Sequence, residues 1–155
     1  MQNKSYQLLN VGENCIFVKF GQEISPVIHK KVKRLSEYLE QNPFPGYIEF
    51  VATYTGTAVN YDPWVVKKKL AKKGETSFAA VGRLLEEYVQ KSELMPETAP
   101  NVVEIPVCYG GEYGPDLAYV AEYCHLTEEE VVKIHSSGEY LCYMIGFCPG
   151  FPFLG

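Results

Sequence analysis

The sequence predicts an α+β fold, and three observations support this fold class. The chain has 155 residues, of which 46% are hydrophobic and 21% are charged, a composition typical of a globular protein with a buried core. Its 12 tyrosines and 8 phenylalanines favour strands over a helical bundle. Two paired apolar runs are each followed by a helical pattern, which predicts the β-α-β-β-α-β order of a ferredoxin-like sandwich.

The first predicted elements are a hairpin and an amphipathic helix. Residues 6–11 and 15–20 are short apolar runs rich in β-branched and aromatic side chains, and a Gly-Glu-Asn turn separates them. Ser25-Pro26 then supplies a helix N-cap followed by proline at the first helical position, and Asn42-Pro43 ends the helix. Its predicted buried face consists of apolar residues at helical spacing, namely Ile28, Val32, Leu35 and Leu39.

A second hairpin and two further helices follow. Residues 47–53 and 57–61 are strand-like and are joined by a short link that contains glycine. Asp62-Pro63 repeats the cap and proline signature, and predicts a short helix over residues 64–73. A longer amphipathic helix is predicted to start after Thr76-Ser77.

A linker is predicted over residues 91–100, which hold two prolines and no hydrophobic periodicity. It divides the chain into an N-terminal α+β domain, residues 1–95, and a second segment, residues 101–155. A strand over residues 102–109 is expected to open the second segment and to supply the last strand of the ferredoxin-like pattern.

The rest of the second segment is predicted to contain two short helices and a strand. The helices cover about residues 115–124 and 127–135, and Thr127 with Glu130 forms a capping box at the start of the second one. Residues 140–147 are predicted to form a buried strand.

A glycine-rich turn between the strand at 102–109 and the next helix is the first candidate site. Gly110, Gly111 and Gly114 place backbone N–H groups where a phosphate or carboxylate can bind near a helix N-terminus. The alternative is a tight turn that needs positive φ, in which Asp116 satisfies the helix dipole and repels anions. As part of a ligand loop, Asp116 would accept a hydrogen bond or position a catalytic group.

The histidines and cysteines give a second candidate and several exclusions. His135 lies at the predicted end of a helix, where an imidazole can act as a general base or interact favourably with the terminal carbonyls. His29 and His125 have no Cys, Asp or Glu at metal-ligand spacing, so no metal site is predicted. The five cysteines are odd in number and contain no C-x-x-C pair, which indicates reduced thiols.

The apolar segment over residues 146–155 is the third candidate site. It is rich in glycine, proline and phenylalanine, and such a segment needs to be covered. We interpret it as an interface or as the edge of a truncated chain, with barrel core as the alternative. The predicted ligand-binding or partner-binding residues are Gly146, Phe147, Pro149, Gly150 and Phe151.

Charge and hydropathy exclude two classes of partner. The formal net charge is −5, which argues against a nucleic-acid binder. The N-terminal residues lack a secretory signal, and no window reaches the roughly 18 apolar residues of a membrane span. We therefore expect a cytoplasmic protein that does not bind membranes.

Three ordered motifs resemble a known bacterial family. They are V-E-I-P-V-C-Y-G-G-E-Y-G-P-D-L at residues 103–117, H-S-S-G-E-Y at 135–140 and G-F-C-P-G-F-P-F-L-G at 146–155. The run V-N-Y-D-P at residues 59–63 also fits. Together they are similar to the carboxyltransferase C/D subdomain family, which includes the B subunits of 5-oxoprolinases, allophanate hydrolase subunit 1 and the Kip-type inhibitors of a sporulation histidine kinase.

The resemblance implies a small α/β domain followed by a C-terminal cyclophilin-like β-barrel. The three motifs belong to the early part of that barrel, and a closed barrel of about eight strands needs more sequence than the second segment contains. Residues 101–155 are therefore expected to form an incomplete barrel segment. Phe153 departs from the family's motif, which more often has Tyr at this position.

The function implied by the resemblance is that of one component of a bacterial ATP-dependent 5-oxoprolinase, which acts with subunits A and C to hydrolyse 5-oxoproline to glutamate. ATP would be bound by the complex or by this chain. In this hypothesis the glycines supply backbone donors, Asp116 and His135 handle protons or orient groups, and Phe151 packs on a partner. Two alternatives stay open: an inhibitor that binds a histidine kinase, and allophanate hydrolase subunit 1.

Overall fold

The protein has a mixed α/β fold with an antiparallel sheet. The computed structural model describes residues 5–96 and 98–155. It divides the chain into two compact units, the first comprising Met1–Glu97 with Cys142–Leu154 and the second Thr98–Leu141 with Gly155. The predicted division into residues 1–95 and 101–155 stays a prediction.

The first unit contains a four-stranded sheet, three helices and a two-stranded hairpin. Its elements are β1 (Gln7–Asn10), β2 (Cys15–Lys19), α1 (Pro26–Gln41), β3 (Tyr47–Ala52), β4 (Gly56–Tyr61), α2 (Pro63–Lys69), α3 (Ser77–Glu93), β5 (Cys142–Ile145) and β6 (Pro152–Leu154). Those of the second unit are a 3-10 helix (Gly111–Tyr113), α4 (Leu117–Cys124) and α5 (Glu128–Ser136).

The sheet has the strand order β1-β2-β4-β3, and every neighbouring pair is antiparallel. The chain leaves β2, forms α1 and returns as β3, so that β4 lies between β2 and β3. Side chains alternate along each strand, and the register pairs Leu8 with Val18 and Ile16 with Val59. These residues form the apolar face of the sheet.

The core of the first unit lies between this face and the helices α1 and α3. Ile16, Val18 and Val59 are fully buried, and Leu35 of α1 and Leu85 of α3 are fully buried as well. Val32, Leu35 and Leu39 are on the helix face predicted from their spacing, and that prediction is confirmed. The remaining members of the core cluster are Phe20, Phe44, Tyr61, Val66, Ala80, Val81, Tyr88 and Val89.

The predicted helix starts are confirmed by their capping hydrogen bonds. The Ser25 side chain accepts from the N–H of Val27, and the Asp62 carboxylate accepts from the N–H groups of Trp64 and Val65. At the start of α5 the predicted capping box is present between Thr127 and Glu130. Local sequence signals therefore decide where these helices begin.

The helix α2 is shorter than the sequence pattern predicts. It ends at Lys69, whereas the prediction extended to residue 73. The Ala71 N–H donates back to the Val66 carbonyl, a bond typical of helix termination. The Lys72 N–H then donates to the Glu75 carboxylate and not to a helical carbonyl, which holds the chain in a turn before Gly74.

The prediction of a strand over residues 102–109 is wrong. This segment forms no strand, and its apolar side chains are exposed, from 52% at Val107 to 81% at Val102. A strand requires a hydrogen-bonded neighbour, and none of the strands in the described part of the chain pairs with this segment. The ferredoxin-like pattern was expected to take its last strand from residues 102–109. In the structure β1, at the N-terminal side of β2, is the edge strand next to β2. The strand predicted over 140–147 is present as the shorter β5, but the prediction that it is buried is wrong, since only Tyr143 of its four residues is buried.

No helix in the part of the chain that the structure describes is long and apolar enough to cross a membrane. Within the same residues, no group of three or more His, Cys, Asp or Glu side chains is placed to hold a metal ion.

His29 is an unusual member of α1 because its imidazole lies in a partly apolar setting. Its ring packs edge-on against Tyr143 of β5, with 5.0 Å between the ring centroids. The Nδ1 atom is buried and has no hydrogen-bond partner among the residues that the structure describes. Burial, assisted by the positive charge of Lys33, lowers the pKa of His29 below its ordinary value.

The position of His29 predicts a specific pH dependence of stability. The unfolded chain binds a proton at this imidazole below about pH 6.5, whereas the folded chain does so only at lower pH. The free energy of unfolding should therefore fall as the pH drops below about 6.5. Denaturant titrations at several pH values would measure this fall, and His29→Phe should reduce it.

The matched control is His125→Asn, which removes an exposed histidine at the left-handed C-cap of α4, a conformation that asparagine also adopts. Equal pH dependence of the wild type and His29→Phe would contradict the assignment.

Candidate functional site

The loop between β5 and β6, residues 146–151, contains the predicted apolar site residues and is called the C-terminal loop. The Gly146 N–H donates to the Phe151 carbonyl over 3.1 Å and closes the loop. The Cys148 N–H donates to the Gly146 carbonyl over 2.8 Å, which makes a three-residue turn around Phe147. Phe147 has φ of +66°, a left-handed conformation that bulky side chains rarely adopt.

A second turn follows immediately in the C-terminal loop. The Phe151 N–H donates to the Cys148 carbonyl over 3.1 Å, with Pro149 and Gly150 between them. Proline favours the second position of a type II turn, and glycine at the third position supplies the required positive φ, which is +76° at Gly150. The Pro-Gly pair is thus explained by turn geometry.

Aromatic rings extend from the C-terminal loop along the hairpin. Phe147 contacts Phe151 with 5.8 Å between ring centroids, and Phe151 contacts Phe153 at 5.2 Å. Tyr54, in the link between β3 and β4, contacts Phe153 at 6.2 Å and Tyr143 at 5.3 Å. Phe147 ends this row and is 93% exposed. The loop therefore presents a large apolar ring on a strained backbone, a combination found at functional sites.

The glycine loop, residues 110–114, belongs to the second unit. Gly110 and Gly111 have positive φ, +75° and +58°. A Cβ at Gly114 would lie 2.8 Å from the Gly110 backbone nitrogen, so only glycine fits there. These contacts account for the three glycines as turn residues. Their part in binding a ligand stays a prediction.

Asp116 directly precedes α4 as its N-cap residue, whereas the sequence predicted it within the first helical turn. Its carbonyl accepts from the Val120 N–H over 2.9 Å, which starts the helix. Its carboxylate makes no capping hydrogen bond and is exposed. Within the described residues this carboxylate has no partner, so it can accept a hydrogen bond from a bound molecule.

His135 is held by two tyrosines at the C-terminal end of α5. The Tyr109 hydroxyl and His135 Nδ1 share a hydrogen bond of 2.6 Å. The Tyr140 hydroxyl donates to the His135 backbone carbonyl over 3.0 Å, and the Tyr140 ring also packs on the imidazole. When the Tyr109 hydroxyl donates to Nδ1, the imidazole carries its hydrogen on Nε2.

This arrangement suits His135 to proton transfer. The two tyrosines fix the ring orientation, which leaves Nε2 as the atom that can exchange a proton with a bound molecule. Within the described residues no hydrogen bond joins Asp116 to His135. The sequence pattern indicates His135 but not its two tyrosine partners, because it predicts Tyr109 in one strand and Tyr140 at the start of another.

The comparison with protein families decides the family of this chain. The family described as "Carboxyltransferase domain, subdomain C and D" matches residues 6–155. The chain belongs to this family. The motifs that suggested the resemblance, from the glycine loop to the C-terminal loop, lie within the matched residues.

Two curated relatives carry the same name, that of the B subunit of 5-oxoprolinase. The one from Bacillus subtilis is 43% identical over 97% of this chain, and the one from Escherichia coli O157:H7 is 33% identical over 94%. The chain spans 62% of the length of the first and 61% of the length of the second.

Solved structures also resemble the chain. The protein TTHA0988 is 33% identical, with a TM-score of 0.69, and the alignment covers 90% of this chain and 24% of that one. The Kluyveromyces lactis urea amidolyase shares the fold at 16% identity, with a TM-score of 0.59 over 94% of this chain and 10% of that one.

The turn geometry of the C-terminal loop predicts opposite effects of alanine at two glycines. Gly150→Ala should lower the free energy of unfolding by about 1 kcal/mol, because an L-residue is strained at positive φ even though the Cβ meets no atom within 4 Å. Gly82→Ala, the matched control within α3, should raise it by up to about 1 kcal/mol. Chemical denaturation measures both, and a neutral Gly150→Ala would contradict the turn assignment.

Proposed function

We propose that this protein is the B subunit of a bacterial ATP-dependent 5-oxoprolinase. The observation that carries the proposal is the match, over nearly the whole chain, to two proteins named as B subunits of 5-oxoprolinase. The subunit name supports a complex, whose companions we take to be subunits A and C. The cytoplasm, where ATP is available, is the proposed location.

The chemistry of the reaction explains why several subunits are needed. The ring amide of 5-oxoproline resists hydrolysis, and phosphorylation by ATP activates its carbonyl. One positioned water then attacks the activated carbon, the ring C–N bond breaks and phosphate leaves, while bulk water is excluded from the intermediate until that attack. We propose that ATP is bound by the assembled complex. This protein would supply part of the wall that excludes water from the intermediate and some of the groups that accept or donate protons.

The glycine loop and the tyrosine-held His135 are the proposed chemical groups of this protein. Backbone N–H groups at Gly110 and Gly111 would donate to a substrate oxygen. Asp116, whose carboxylate has no partner among the described residues, would accept a proton or orient the substrate. His135 would accept or donate a proton through the imidazole that Tyr109 orients.

The C-terminal loop is the proposed contact with a companion subunit. Phe147 and Phe151 offer exposed aromatic rings, and a rigid loop loses little conformational entropy on binding. Gly146, Pro149 and Gly150 would keep those rings in place through the two consecutive turns.

The finer fold assignments also belong to this proposal. We propose that the first unit is a ferredoxin-like sandwich in which β1 occupies the edge position. The placement of β4 between β2 and β3, with α1 connecting them, supports this assignment. We further propose that residues 101–155 form the first part of a cyclophilin-like barrel, which the absence of a strand partner for residues 102–109 within the described part of the chain supports.

The enzyme assignment is tested by omitting one component. The protein, co-expressed with its candidate A and C subunits, should release glutamate from 5-oxoproline when ATP is supplied. The same preparation without this protein should release none, and coupled detection of glutamate measures both. No release from a well-assembled complex would contradict the proposal.

The residue roles are tested in that complex by single variants with matched controls. Asp116→Ala and His135→Gln should each lower turnover by about 100-fold, a typical contribution of general acid–base catalysis. Glu122→Ala on α4 and His125→Asn remove an exposed carboxylate and an exposed histidine nearby in sequence and should leave turnover unchanged. Full turnover of Asp116→Ala would exclude the role given to that carboxylate.

A further inference from the structure

A concentrated positive patch lies on the first unit, in a chain whose net charge is −5. It is formed by α2 and the turn after it, and is called the lysine patch, residues 64–73. Its lysines occupy five of seven consecutive positions, and no acidic residue occurs within the patch; they are Lys67, Lys68, Lys69, Lys72 and Lys73.

The acidic residues that flank the lysine patch are already engaged. The Asp62 carboxylate accepts the N–H groups of Trp64 and Val65 at the start of α2. The Glu75 carboxylate pairs with Arg83, at 3.3 Å, and accepts the Lys72 N–H at 2.7 Å. The Glu75 carboxylate also interacts with the positive charge of Lys72, so these contacts leave Lys69 and Lys73 as the patch lysines with the least compensation by the flanking carboxylates.

Some of the lysine side chains contact other residues of the chain, and others do not. Lys67 Nζ donates to the Glu75 backbone carbonyl, and Lys68 Nζ lies over the Trp64 ring. Lys69 and Lys73 are exposed, and their side chains form no hydrogen bond or ion pair with any residue that the structure describes. Positive charge is thus left available at the surface.

The apolar part of the patch is a single large ring. Trp64 is the only tryptophan of the chain, and it is 68% exposed. Lys68 Nζ is 5.1 Å from the ring centroid, in a cation–π contact that fixes the ring beside the positive charges. Tryptophan is enriched at the energetically dominant positions of protein–protein interfaces, and exposed charges at an interface rim steer a partner of opposite charge.

We propose that the lysine patch binds an acidic segment of a partner protein, with Trp64 as the apolar anchor. Charge complementarity supports an acidic partner, because the patch carries five lysines and no acidic residue. A membrane surface fits less well, since an interfacial helix needs a broad apolar face. Helix α2 has seven residues, and Val66 on it is fully buried in the protein's own core.

The tryptophan makes the proposal directly measurable. Poly-L-glutamate, used as the acidic probe, should change the intrinsic fluorescence of the protein in a saturable way, because the only tryptophan lies in the patch. Raising the salt concentration should weaken the apparent affinity, since exposed charges are screened. Poly-L-glutamine should produce no saturable change.

Charge-reversal variants distinguish binding at the lysine patch from binding elsewhere on the surface. The double variant Lys69→Glu/Lys73→Glu should weaken poly-L-glutamate binding by about tenfold, as expected for the loss of two exposed charge pairs. The control Lys91→Glu/Lys133→Glu changes the net charge equally at exposed positions on α3 and α5 and should leave the affinity within about twofold. Thermal unfolding of both variants checks that the fold is retained.

Three results would overturn the proposal. One is an absence of any fluorescence change with poly-L-glutamate, and another is an equal loss of affinity in the two double variants. The third is saturable binding to phosphatidylserine vesicles without binding to poly-L-glutamate, which would assign the patch to a membrane surface. All three are independent of whether the protein takes part in 5-oxoproline hydrolysis.

Discussion

The antiparallel pairing of β2 with β4 is the constraint on which the rest of the first unit depends. The register places Ile16 opposite Val59 and Val18 opposite Thr57, and all four residues are fully buried. Because side chains alternate along a strand, a slip of one residue would turn this apolar set away from the helices. Gly56 permits the close approach of the two strands, since a Cβ there would lie 2.3 Å from the Val18 carbonyl oxygen.

The hairpin of β5 and β6 depends on a much smaller set of contacts. Tyr54 reaches it from the link between β3 and β4, and His29 reaches it from α1. Aromatic pairs of this kind contribute about 0.5–1.5 kcal/mol each beyond the area they bury. The hairpin is therefore held by a few rings, whereas the four-stranded sheet is held by a continuous core.

The sequence was informative wherever a local signal decides the structure. Ser25, Asp62 and the Thr127 capping box predicted helix starts correctly, because a cap acts on its own N–H neighbours. The strand at 102–109 was predicted wrongly, because strand formation depends on a distant partner. At the candidate site, glycine and proline positions followed from turn chemistry. The contact of Tyr109 with His135, which are 26 positions apart, required the three-dimensional structure.

Residues 102–109 can pair with another strand, which the helices and the central strands of the sheet cannot do. Its backbone N–H and C=O groups pair with no strand in the described part of the chain, and its valines and isoleucine are exposed to solvent. Unpaired backbone groups beside apolar side chains favour pairing with another strand, including the same segment of another molecule. We therefore expect this segment, which lies outside the buried core, to be a place where the chain associates with itself as its concentration rises.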